Sequence, residues 1–147
     1  MRLIRIFLFL MPLGVAAQGI ESLWGQVGPA DFRTDWIQDT VATAIVINEV
    51  GDAYFDKDYD LFVDYYVKIK ILKKEGVRFA NFTIPLHKQD GRAETLERVE
   101  GVTHNLGAGS IQADRLEHKS VFTEDLNQYR TNKKFTLSNV QVGSIIE

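Results

Sequence analysis

Three aspartates, Asp56, Asp58 and Asp60, alternate as oxygen ligands do at the start of a calcium-binding loop. The frame then fails. Leu61 stands at the sixth position, where a glycine must make the sharp turn, and Val67 at the twelfth, where a bidentate glutamate must close the site. The expectation is a solvated acidic turn before a strand. His87, His104 and His118 are widely spaced and lie in no His-Glu-x-x-His pattern. Zinc needs three or four converging ligands, so scattered surface or strand histidines are expected. Gly107-Ala108-Gly109-Ser110 lacks the third glycine and following helix of a dinucleotide loop, and the frame of a nucleophile elbow. It is expected to be a flexible hairpin loop. Glu94, Glu97 and Glu100 would share a helix face, but the segment reads as strand from Val99 onward, where they make no opposed carboxylate pair. Asn81-Phe82-Thr83 is an N-glycosylation sequon inside a predicted strand. Asp39-Thr40-Val41 resembles a short Asp-Thr-aliphatic O-glycosylation acceptor, with plain strand entry as the simpler account. No catalytic residue, cofactor-binding residue or metal ligand is assigned, and no cofactor is implied.

Composition narrows the field further. The chain has no cysteine, which removes disulfides and a cysteine nucleophile from these residues. Arg2 and Arg5 precede the apolar run Ile6–Val15, and the small residues Ala16 and Ala17 follow. This is the pattern of a cleavable signal peptide over residues 1–17, cut ahead of Gln18, and the run is too short to span a bilayer. Export to the periplasm or cell surface is the expectation. Removing Arg2 and Arg5 from the 17 basic side chains leaves 15 against 20 acidic ones, a net −5 with histidine neutral. No basic patch stands out, so nucleic acid is not an expected partner.

The elements that must position any site are mostly β. Residues 18–40 form a leader with the anchors Leu23, Trp24, Phe32 and Trp36, and Pro29-Ala30-Asp31 suits the first turn of a short helix. Residues 41–147 read as a β-sandwich domain. Gly51-Asp52 is read as a turn. In Phe62–Leu72, Val63, Tyr65, Val67, Ile69 and Ile71 alternate with Asp64, Tyr66, Lys68 and Lys70, which assigns the first set to the core and the second to solvent. Lys73–Gly76 reads as a hairpin turn with Gly76 left-handed, returning as a partner strand over Val77–Ile84 that Pro85 ends. His87–Arg92 reads as a polar loop, Glu97–His104 and Leu116–Phe122 as strands, and Thr123–Arg130 is ambiguous between helix and strand. Phe135–Leu137 and Val140–Glu147 read as strands again. Short strands with regular turns predict a mainly β chain, an antiparallel β-sandwich with a short N-terminal helix.

The end of the chain, Val142-Gly143-Ser144-Ile145-Ile146-Glu147, reads as the opening of a buried strand that then stops. The expectation is an incomplete sandwich, truncated within the domain. If that strand pairs with later residues, residues 18–147 alone leave an open edge and should be poorly soluble or oligomeric.

Three stretches together resemble one family. They are Trp24-Gly25-Gln26-Val27 with Asp31-Phe32, Asp39 and Ala42–Ile47 through Gly51–Phe55; Tyr65–Leu72; and Phe122–Asn127, Lys134–Leu137, Asn139-Val140 and Gly143–Glu147. Over roughly residues 24–147 the chain resembles the domain of unknown function that lies just upstream of transglutaminase-like cores in exported bacterial proteins. The run Val140-x-x-Gly143-Ser144-Ile145-Ile146-Glu147 is the most specific mark. Ser138 departs from the proline often found there. The resemblance implies a non-catalytic, β-rich accessory domain, with the downstream transglutaminase-like domain of the same polypeptide as its partner. That core is papain-like, with a cysteine, a histidine and an aspartate, and no position here matches the triad. The alternative is a stand-alone exported β-sandwich that binds a glycan or peptide, for which Tyr54, Phe55, Tyr59, Tyr65 and Tyr66 supply aromatic faces.

Overall fold

The structure is a computed structural model and describes residues 19–35, 37–89 and 91–147. The signal peptide expected over residues 1–17 and the Trp36 anchor lie outside the described residues. Strand β1 (Ala44–Phe55) and strand β2 (Leu61–Ile71) form a long antiparallel hairpin. β1 runs straight through Gly51-Asp52, which pair with Tyr65 and Asp64, so the turn expected there is absent. The chain turns instead at the acidic cluster. Asp56 Oδ1 accepts from the amides of Asp58 and Asp60, each at 2.9 Å, and Tyr59 takes the left-handed φ of 65°. The aspartates form a turn, as the failed calcium frame suggests.

Beyond β2 the path departs from the expected hairpin. Lys74–Ala80 is a run of 3₁₀ turns, and β3 (Asn81–Gln89) crosses to a second sheet to pair with β8 (Arg130–Thr136). Gly76 has no left-handed φ. A glycine is needed there because a Cβ would sit 2.1 Å from the Thr43 carbonyl oxygen, which already accepts from the amides of Leu72 and Lys73. Pro85 lies inside β3, not at its end. It is tolerated because β4 (Arg92–Ala93) pairs only with Lys88 and Gln89, leaving that edge open beside Pro85.

The remaining strands are β5 (Val102–Leu106), β6 (Ile111–Arg115), β7 (Phe122–Asn127) and β9 (Ile145–Ile146). Thr123–Arg130 is the β7–β8 hairpin, so its helical spacing does not form a helix. Every ladder is antiparallel: a five-stranded sheet in the order β1-β2-β9-β5-β6 faces a four-stranded sheet in the order β4-β3-β8-β7. The chain is therefore mainly β, an antiparallel β-sandwich. Ile71 and Ile146 meet Ala80 and Leu137 at the core, with Ile69, Val77, Phe82 and Leu116 around them. Phe82 and Phe135 stack at 5.1 Å between ring centres. A four-residue helix, α1 (Ile20–Leu23), and a 3₁₀ turn over Pro29–Phe32 occupy the leader.

The closing segment differs most from expectation. Only Ile145 and Ile146 are extended, and they form a central strand with β2 on one side and β5 on the other. Their own ladder is filled, so the terminal strand presents no open edge. Gly143, at φ 91°, and Asn139, at φ 56°, make the turns that deliver it.

The Gly76 contact gives a direct test. Gly76→Ala should destabilise by about 2 kcal/mol or more through backbone overlap. Gly107→Ala, whose Cβ would meet only atoms at 3.5 Å or beyond, should change stability by less than about 1 kcal/mol. Urea unfolding midpoints check both, and equal shifts would contradict the close approach.

Candidate functional site

Alternation along β2 gives the five-stranded sheet two faces. Ile69 and Ile71 join the apolar core, as expected. Tyr66, Lys68 and Lys70 project from the opposite face, where solvent was predicted, yet they are only 4, 6 and 0% exposed. Conversely Val63 and Tyr65, assigned to the core, are 65 and 62% exposed. The strand was read correctly, but the leader covers its polar face.

Glu147 sits at the centre of that face. The β9 register sets it beside Lys68, and reciprocal 3.0 Å backbone bonds with Val102 hold its main chain. Its side chain has no exposed area. Tyr66 donates its hydroxyl to Glu147 Oε1 at 2.6 Å. His104 Nε2 lies 2.9 Å from Oε2, and the Gly25 amide donates to the same oxygen at 3.3 Å. Lys68 Nζ stands 3.5 Å from Oε1 but donates its short hydrogen bond, 2.7 Å, to the Gln26 carbonyl. Lys68 thus balances the Glu147 charge while tying down the leader. Lys70 Nζ donates to the Asp31 carbonyl at 2.6 Å and lies 5.5 Å from the centre of the Phe32 ring.

Electrostatics follow from burial. Removal from water, then the hydrogen bond and charge of Glu147, push the Tyr66 phenol well above its ordinary 10.0. Burial holds the Lys70 ammonium below its ordinary 10.5, with the Asp31 charge opposing the shift. A buried carboxylate with a phenol, an imidazole and an ammonium contains groups capable of proton transfer. Such transfer requires a substrate within hydrogen-bond reach, and the leader roofs this carboxylate completely. Two surface concavities lie elsewhere, at the Gly91 and Tyr129 hairpin tips and beside Asn105 and Gln141. The arrangement is a fastening between leader and sheet.

The candidates drawn from sequence do not converge on it, apart from His104 and Tyr66, the latter expected only as an exposed aromatic face. His87 and His118 are exposed, on β3 and on a 3₁₀ turn. Gly107–Ser110 is the β5–β6 hairpin loop, closed by the Gly107 amide on the Ser110 carbonyl at 2.9 Å. Glu94 accepts from the His87 amide, and Glu100 pairs with Arg98. Asp39 Oδ1 accepts from the amides of Val41 and Ala42, which makes Asp39-Thr40-Val41 a tight turn before β1. Asn81 exchanges side-chain bonds with the Arg78 carbonyl and Thr136. Sequence reasoning missed Tyr66, Lys68, Lys70 and Glu147. The available signal was the leader itself, whose apolar anchors need a surface to cover. Comparison of the chain with protein-family models, curated proteins and solved structures finds no match.

Two outcomes test the fastening. Glu147→Ala strands Lys68, His104 and the Tyr66 hydroxyl and should cost about 3–5 kcal/mol; a loss below about 1 kcal/mol contradicts the network. Tyr66 tests its pH dependence. Its folded value is raised, so its contribution is complete below pH 10.0 and is lost as pH rises through the higher folded value. Lys70 has the opposite sign, because its lowered folded value makes stability rise with pH up to 10.5. The stability difference between wild type and Tyr66→Phe cancels the Lys70 contribution. It should be constant below pH 10.0 and shrink above it, and a difference that grows in alkali would refute the assignment.

Proposed function

We propose that this chain is a non-catalytic accessory β-domain of an exported transglutaminase-like protein, standing ahead of a papain-like cysteine core in the same polypeptide. The observation that carries the reading is the convergence of the stretches that resemble the family. Gly25 and Gln26 from the first, Tyr66 and Lys68 from the second, and Glu147 from the third meet in one buried network, and Lys70 of the second bonds the Asp31 carbonyl of the first beside it. They are far apart in sequence, and their common use is to fasten a leader over a sheet. A scaffold needs such a fastening, whereas a reaction centre needs an opening. Among the described residues no helix is long and apolar enough to cross a membrane. The proposed location is the periplasm or cell surface, after removal of residues 1–17.

The alternative, a stand-alone binder of glycan or peptide, loses Tyr66 to the Glu147 network, while one face of Tyr54 is stacked on Phe62 at 5.7 Å. Phe55, Tyr59 and Tyr65 remain exposed, with the Tyr65 hydroxyl bonded to Glu49.

The reading frame beyond Glu147 tests the proposal. A transglutaminase-like core with its cysteine, histidine and aspartate is expected. A stop codon there, or several hundred bases without that set, would overturn it. N-terminal sequencing of the protein recovered from its host should begin at Gln18; a chain that retains Ile6–Val15 contradicts export by cleavage.

A further inference from the structure

The β1–β2 hairpin extends beyond the cover of the second sheet and carries two unmet surfaces. The first is an apolar stripe. Leu61, Val63 and Tyr65 on β2 and Phe55 on β1 project from the core-side face, each at least 60% exposed. The second is a backbone edge. The amide of Ile71 bonds to the Ser144 carbonyl, and Ile69 pairs with Ile146, so odd-numbered residues of β2 direct their backbone groups toward β9. β9 ends after two residues. The backbone groups of Val67, Tyr65, Val63 and Leu61 on the same side meet no ladder partner among the described residues.

We propose that this edge is a slot for an extended polypeptide segment that continues the β9 ladder, supplied by residues following Glu147 in a longer form of this protein. The proposal rests on the reading above, in which further polypeptide follows. Ladder continuity carries it. Ile145 stands opposite Lys70 and Ile146 opposite Ile69, and Glu147 then falls beside Lys68, where its carboxylate is found. A chain leaving Glu147 in the same direction meets Val67 next, then Tyr66 and Tyr65. It therefore runs antiparallel to β2 along the edge that lacks a partner. The exposed stripe also sets the segment's chemistry. Positions opposite Val67, Tyr65 and Val63 would project on the apolar face and take apolar, β-branched or aromatic side chains. Positions between them would face Tyr66 and Asp64, near Asp52, and take polar or basic ones. An extended strand with this alternation adds main-chain bonds and shields the stripe together.

Amide hydrogen exchange tests this on residues 18–147 and on the longer natural polypeptide. The amides of Val63, Tyr65 and Val67 should exchange roughly a hundredfold more slowly in the longer chain, while those of Phe82 and Phe135 in the other sheet stay unchanged. Equal rates at Val63, Tyr65 and Val67 in the two chains overturn the slot even where a transglutaminase-like core is present. Protection in a longer chain that lacks such a core supports the slot and overturns the functional reading alone. A reading frame that stops at Glu147 overturns both.

Discussion

One buried carboxylate holds the leader and the closing segment together. Taking Glu147 out of water costs several kcal/mol. The cost is offset only because Tyr66, His104 and the Gly25 amide supply three donors and Lys68 a compensating charge. Each donor comes from a different segment: β2, β5 and the leader. The carboxylate can therefore be satisfied only when all three are in place, and this couples the leader to the sheet. Lys70 follows the same logic without a carboxylate, since its ammonium is spent on the Asp31 carbonyl and lies against Phe32.

The topology places a second demand on the same residues. β9 lies between β2 and β5, so the five-stranded sheet is continuous only when Ile145 and Ile146 have been inserted. Gly25 and Glu147 are 122 residues apart. Their contact therefore closes a long loop. The apolar core between the sheets uses Ile71, Ala80, Leu137 and Ile146 and so waits on the same insertion. Core and polar network are joined through adjacent residues, because Ile146 projects on one face of β9 and Glu147 on the other.

Local pattern disclosed what local physics decides. The period of two in Phe62–Leu72 identified β2, Pro29-Ala30-Asp31 identified a short helical turn, and the broken calcium frame identified a turn. Errors arose where a distant segment decides. Tyr66, Lys68 and Lys70 read as solvent-facing because nothing within β2 shows that residues 23–32 cover them. Val63 and Tyr65 read as core because alternation cannot tell how far the second sheet extends. Gly76 was rightly singled out but for the wrong reason: its backbone approaches Thr43 closely and makes no left-handed turn. The network was the least legible part, because each member alone is an ordinary residue on a strand, and only the register of a two-residue strand brings them together.

The protein is a β-sandwich with a sealed polar fastening on one sheet and an uncovered hairpin beyond it. The central claim is that the Glu147 charge holds the leader on the sheet. Amide exchange in Glu147→Gln, which keeps the shape and removes the charge, tests this most directly. The leader amides of Ser22, Gly25 and Asp31 should exchange at least about tenfold faster while Phe82 and Phe135 are unaffected. Leader amides that exchange at the wild-type rate would contradict it.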